Sequence, residues 1–170
     1  MIFFTADTHF CHEAIIEICH RPFTSIKQHD NRLIKNYNNI VTDKDDVYIL
    51  GDFAMLEKHR KSELINITRR LNGRKHLIYG NHDYFLPIEY IRAGFWSAHT
   101  HLEVEGMICV HDPCFAVTDP LTTFLCGHVH TLFKYVSNCV NVGVDQWNYT
   151  PVPLNIIHEY IKENNINREG

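Results

Sequence analysis

The chain has 170 residues, 45% hydrophobic and 21% charged, which is the composition of a soluble globular protein and the length of one domain, 1–170. Its net charge of −4, with histidine neutral, disfavours a dedicated nucleic-acid binder without excluding one, and is compatible with a small phosphate-bearing substrate. No apolar run approaches membrane-spanning length, and "MIFFTADTHF" meets Asp7 and His9 too soon for a signal peptide, so no membrane association is expected.

Residues 2–6 form a short apolar run, the first predicted strand. Residues 13–19 predict a short helix, broken by Arg21-Pro22-Phe23. From Ser25 to Val41 the apolar positions Leu33, Ile34, Tyr37 and Val41 recur at helical spacing, with Ser25 as N-cap. Residues 45–50 read as a buried strand. Leu56, Leu64, Ile67 and Leu71 mark an amphipathic helix that Asn72-Gly73 stops, and 75–79 is strand again. This alternation predicts βαβ units and a mostly parallel sheet. Beyond residue 94, the runs "FWSAHTHLEVEG", "MICVH", "TFLCG", "LFKYVS", "CVNVG" and "VPLNII" predict short strands, largely antiparallel, in a second sheet packed on the first. A last helix is expected over 156–164 and a frayed tail over about 165–170. Trp96, Trp147 and Tyr149 are expected to complete the core, with a homodimer interface left open. Residues 57–75 carry seven Lys/Arg against two Glu and read as a solvated helix face.

The six cysteines have no Cys-x-x-Cys spacing and read as reduced thiols of a cytoplasmic protein, with Cys109 and Cys126 in the core. The 13 histidines are the unusual count, because histidine is the commonest metal ligand. Their positions carry the argument. Asp7 and His9 follow "IFFTA", Asp52 follows "VYIL", and Asn81 and His82 follow "HLIY". His111 follows "MICV", and His128 and His130 follow "TFLC". In open α/β sheets ligands bind beyond the carboxyl ends of the strands, so these groups can converge. Each motif alone reads as a turn or a surface residue; five in order, each closing an apolar run, point to a site. The pair His99 and His101 does not close an apolar run and reads as an exposed strand face.

In that order, "ADTH", "GDF", "GNHD", "VHDP" and "GHVH" resemble the motifs of the calcineurin-like metallophosphoesterases, and the match runs from residue 5 to about 130. "DTHFCH", "RPF" and "NVGVDQWNYTPV" resemble a small microbial and phage branch of that family. The resemblance implies an α/β fold, a four-layer α/β/β/α sandwich. It implies two divalent metal ions, one held by Asp7, His9, Asp52 and His130, the other by Asp52, Asn81, His111 and His128. The nitrogen and oxygen donors suit Mn²⁺ first, with Fe and Zn next. A metal-bridging hydroxide would attack a phosphoester, and His82 would act as general acid on the leaving oxygen. A supporting histidine is the alternative role for His82. Asp83 would orient His82 or its loop, and His12, together with Asn81 and His82, would contact the substrate.

The sequence also departs from the family. "GDFAML" lacks the Asp-Arg-Gly of protein phosphatases, Asp112 stands where many members have glycine, and 170 residues leave little room for a cap. The expected activity is therefore a phosphodiesterase of small or nucleotide-like substrates. A single-strand nuclease, a phosphomonoesterase and a non-catalytic interaction module are the alternatives.

A charge count rationalises Asn81. Two divalent ions bring four positive charges, and Asp7, Asp52 and a bridging hydroxide remove three, leaving a net positive centre for an anionic substrate. Asn81→Asp is expected to bind metal at least as well as the parent but to hydrolyse phosphoester slowly. Normal turnover by that variant would contradict the count.

Overall fold

A computed structural model describes residues 1–118 and 122–166. Nine of its elements make a five-stranded sheet and its helices: β1 (Ile2–Thr5), α1 (Ile15–Ile18), α2 (Ile26–Ile40), β2 (Asp46–Leu50), α3 (Lys61–Arg69), β3 (Arg74–Ile78), α4 (Pro87–Ala93), β4 (Ser97–His99) and, later in the chain, β10 (Val152–Pro153). The order is β10-β1-β2-β3-β4, with β1 to β4 parallel and β10 antiparallel at the edge. The second sheet contains β5 (Leu102–Val104), β6 (Met107–Cys109), β7 (Phe124–Cys126), β8 (Tyr135–Val136) and β9 (Cys139–Asn141), in the order β5-β6-β7-β9-β8. The chain then closes with α5 (Leu154–Ile166).

Period-two alternation sorts the first sheet's side chains. Phe3, Val47, Ile49 and Leu77 join Leu33, Ile34 and Tyr37 of α2, Leu64 and Ile67 of α3, and Tyr90 of α4 in one core. Their neighbours Phe4, Leu50 and Ile78 join Cys109, Leu125 and Val140 of the second sheet and Ile157 of α5 in another. The strands are thus fixed on both faces, which is why they read as near-continuous apolar runs.

The expected N-cap is present: Ser25 Oγ accepts from the Gln28 amide. The parallel first sheet also matches, as do the buried Cys109 and Cys126. Several expectations are corrected. The second sheet is not largely antiparallel, since β6–β7 and β7–β9 pair in parallel and only β5 and β8 at its edges are antiparallel. The connections between its parallel strands are long crossovers whose turn residues look like those of hairpins. The run at 95–106 is two strands, β4 in the first sheet and β5 in the second, divided at Thr100.

His99 therefore ends β4, while His101 lies outside the strands. The helix expected from Leu56 begins only at Lys61, because residues 53–55 pair with Phe10. Helix α4 has no strong periodic signal. Its start is set by Pro87 and by Glu89, which accepts from the Leu86 amide, and its end by Gly94 at φ 111°.

Trp96 is not a core residue. It is 67% exposed and lies beside the Arg74 guanidinium, 5.9 Å from ring centroid to Cζ. Trp147 and Tyr149 are half-buried against the two cores. The basic stretch is largely engaged: Arg60, Lys61 and Arg74 pair with Glu63, Glu89 and Asp46, and the Lys75 ammonium donates to the Leu71 and Gly73 carbonyls. Helix α5 continues through Ile166, beyond the expected 164; of the tail expected to fray, residues 167–170 lie outside the described residues. Among the described residues no helix is long and apolar enough to cross a membrane.

Candidate metal centre

The segments that follow β1 and β2 run side by side. The amides of Asp7, His9 and Phe10 donate to the carbonyls of Gly51, Asp52 and Phe53, and the Met55 amide returns a bond to Phe10. This ladder carries Asp7 and His9 next to Asp52. Asp83, at the turn after β3, fastens a third segment. Its carboxylate accepts from the amides of Asp52, Phe53 and Gly80 and from the Tyr90 hydroxyl, all at 2.8–3.1 Å. Asp83 is thus a buried tie between loops. Burial pushes its carboxyl up to about 7 despite those bonds.

Crowding at this junction demands glycine. A Cβ on Gly80 would meet Asp52 Oδ1 at 2.3 Å. Gly51, at φ +83°, would put its Cβ 2.4 Å from His111 Nδ1. The backbone is strained as well. Asp7, His9, Asp52, His128 and His130 all have φ between 45° and 71°, the left-handed region that side chains other than glycine rarely occupy. Such strain clusters where geometry is held for function.

The expected ligands assemble in two groups. Ligand atoms of Asp7, His9 and His130 all lie within 4.8 Å of one another, and so do those of Asp52, His111 and His128. Asp52 lies between the groups, with Oδ2 3.4 Å from His9 Nε2 and Oδ1 3.5 Å from His111 Nε2. Asn81 joins the second group, its Oδ1 3.0 Å from both His111 Nε2 and His128 Nδ1.

The chemistry of these atoms fits a cation. Asp7 is 0% exposed, and burial pushes its carboxyl up to about 7. His9 Nε2 is a buried nitrogen with no hydrogen-bond partner. Burial, with His130 and Arg21 nearby, holds the His9 pKa far below its usual range, so the ring is in the neutral, ligating form. The other ring nitrogens are committed. His111 Nδ1 lies 2.8 Å from the Leu50 carbonyl, His9 Nδ1 3.1 Å from His12 Nδ1, and His130 Nδ1 3.0 Å from Asp145 Oδ2. Each arrangement leaves Nε2 as the nitrogen that would face a metal ion. The buried Asp/His groups could therefore hold a metal ion.

His82 and His12 lie alongside. The His82 amide donates to Asp52 Oδ1 at 2.9 Å, and its half-buried ring is 5.5 Å from that of His9 and 6.3 Å from that of His12, centroid to centroid. His82 Nδ1 lies 3.1 Å from the Tyr84 hydroxyl.

Sequence reasoning did not assign roles to the residues behind this centre. Arg21, buried just after α1, donates two bonds to the Asp145 carboxylate at 2.8 Å and one each to the Asp7 and Thr8 carbonyls. Its Nη1 also lies 2.8 Å from His29 Nε2, and His29 Nδ1 lies 2.8 Å from Asp30. Asp30 in turn accepts from the Cys11 amide. This chain joins α2 to the loop bearing Asp7 and His9. Burial alone would lower the His130 pKa; its bonds to Asp145 and Cys19 and the charge on Asp7 outweigh that and push it up to about 10. Asp145 stands two residues beyond the run "CVNVG", so the strand-end pattern that singled out the candidate ligands also points to it.

No family model matches the chain. The protein MJ1445 of Methanocaldococcus jannaschii, itself uncharacterized, is 33% identical, with 98% of this chain and 94% of that protein covered. The chain belongs to the family of MJ1445. Among solved structures it is similar to AQ665 of Aquifex aeolicus, a protein of unknown function, with TM-score 0.72, 25% identity and coverage of 94% of this chain and 98% of that one. It also shares a fold with Pseudomonas putida nuclease MPE, with TM-score 0.50, 19% identity and coverage of 76% of this chain and 61% of the nuclease.

Replacing Asp145 by Asn removes the charge behind His130 while keeping its size. Mn²⁺ affinity, measured by calorimetric titration, is expected to fall about 10- to 100-fold. Unchanged affinity would show that Asp145 does not support the centre.

Proposed function

We propose that this chain is a metal-dependent phosphoester hydrolase of the calcineurin-like metallophosphoesterase type, acting on phosphodiesters of small or nucleotide-like compounds. The observation that carries this reading is Asp52, a buried carboxylate between two separate groups of ligating side chains. A single structural metal would need only one group. In this reading Asp7, His9, Asp52 and His130 would hold one divalent ion and Asp52, Asn81, His111 and His128 the other, with Mn²⁺ the preferred metal. Two such ions would lower the pKa of a water to near neutrality and offer positive charge to the phosphoryl oxygens. Two sheets sharing one apolar core, with α2, α3 and α4 against the first, agree with three of the four layers of that type.

The chain's own residues do the remaining work. His82 is mounted on the turn after β3, its amide tied to Asp52 and its ring nitrogen Nδ1 3.1 Å from the Tyr84 hydroxyl, which places the imidazole beside the candidate centre. Its half-buried ring can exchange protons with solvent and give one to the departing oxygen. His12 holds the His9 tautomer through its Nδ1 and offers its second nitrogen to a substrate oxygen. Asn81 supplies a neutral oxygen, which keeps the centre attractive to an anion.

The likeness of fold to nuclease MPE favours one second reading, a nuclease, which the sequence expectation would direct to single-stranded ends. Against it stand the net charge of −4 and the pairing of Arg60, Lys61 and Arg74 with carboxylates.

A general acid matters in proportion to how poor the leaving group is. With Mn²⁺ added to metal-stripped protein, bis-p-nitrophenyl phosphate is expected to be hydrolysed. His82→Ala should lower the turnover of a diester with an alkoxide leaving group by roughly 10²- to 10⁴-fold, and that of the nitrophenyl diester far less. Equal losses for both would remove His82 from proton transfer, and Mn²⁺-independent turnover would contradict the metal assignment.

A further inference from the structure

Two cavities adjoin the candidate centre. A cavity of about 240 Å³ is lined by Asn81, His111 and His128, with Tyr79, Asp112, Thr100 and Phe115 among its other walls. A second, of about 500 Å³, is lined by Thr100, His101, Ile108, Val110, Phe115 and Phe124. Thr100 and Phe115 line both, so the larger cavity neighbours the space beside the second group of candidate ligands. The two differ in chemistry. The smaller has metal-ligating side chains and a carboxylate on its walls. The larger has four apolar side chains, two of them phenyl rings, and none of its described lining residues is Asp, Glu, Lys or Arg.

Phe115 is 64% exposed although large and apolar. It lines both cavities, so a molecule with one end in each would contact it. Exposed apolar side chains grouped beside a polar site mark ligand contacts. Phenyl walls favour a flat ring, which can stack on a face or meet an edge, over a flexible chain. The Thr100 hydroxyl and the His101 imidazole, whose Oγ1 and Nδ1 are 3.3 Å apart, supply polar atoms for the edge of such a ring.

On this basis, and resting on the phosphodiesterase reading above, we propose that the cavity lined by Phe115, Phe124, Ile108 and Val110 is a subsite for the aromatic ring of the substrate, a nucleobase of a nucleotide diester. The phosphate lies at the metal side and the ring on the apolar side. The subsite contributes to substrate affinity and selects nucleotide esters over small alkyl esters. It needs no basic surface, in keeping with the acidic chain.

The test compares two diesters that release the same p-nitrophenolate, thymidine 5′-(p-nitrophenyl phosphate) and methyl p-nitrophenyl phosphate, with Mn²⁺ and the full chain. The thymidine ester is expected to show a kcat/KM about tenfold or more above the methyl ester, the scale of one base–aromatic stack, and carried mainly by KM. Phe115→Ala should collapse that ratio and Phe115→Trp should retain it. Equal kcat/KM for the two esters, or a ratio that survives Phe115→Ala, would overturn the subsite while leaving the hydrolase intact. Failure to hydrolyse either ester would overturn the parent activity and the subsite together.

Discussion

The Asp52 carboxylate is buried between two sets of imidazoles at the end of the central strand β2, and the neighbouring structure is arranged around it. One oxygen faces His9 and the other faces His111 and accepts from the His82 amide. Its own amide is held by Asp83. A carboxylate withdrawn from water needs compensating positive charge or hydrogen bonds. The His82 amide supplies one such bond, and the imidazoles at 3.4–3.5 Å are beyond good hydrogen-bond distance, so a cation held in the proposed site would supply the rest. Gly51 and Gly80 belong to the same constraint, since a Cβ at either would occupy space that Asp52 or His111 already fills.

Geometry of this kind is maintained against local preference. Each L-residue in the left-handed region costs on the order of 1 kcal/mol, and Asp7, His9, Asp52, His128 and His130 all adopt it. Rigid surroundings hold them there. Phe4, Leu50, Ile78 and Leu125 lock the strands beneath, and Asp83 and Arg21 tie the loops from the side. Arg21 is a sensible choice for the second tie, because a planar guanidinium can bind Asp145 through two bonds and still reach backbone carbonyls. The supporting charges are thereby linked to the ligands: Asp145 to His130, and Asp30 through His29 and Arg21 to the Asp7 loop.

The convergence of these side chains was legible because chemistry and chain direction coincide. Each apolar run ends where its strand leaves the core, so the next polar side chain emerges at the same end of the sheet. Asp7, His9, Asp52, Asn81, His111, His128 and His130 all obey that rule, and the structure brings them together. Arg21 and His29 do not obey it. They follow or sit on helices, and their importance comes from their partners: Asp145, more than 100 residues away, for Arg21, and Arg21 itself for His29. Pairing direction in the second sheet was illegible for a related reason. Strands of two or three residues carry too little alternation to separate crossovers from hairpins, so β6, β7 and β9 looked antiparallel. Trp96 is misread by composition alone, since its exposed ring is accommodated by Arg74 rather than by a core.

The proposed function depends on Asp52 as a ligand shared by two metal ions. The most direct measurement is an anomalous-scattering map, recorded at the manganese edge, from a crystal of the protein grown with Mn²⁺. Two peaks are expected, both in contact with Asp52, one also within reach of Asp7, His9 and His130 and the other of Asn81, His111 and His128. A single peak, or peaks that do not touch Asp52, would contradict that role.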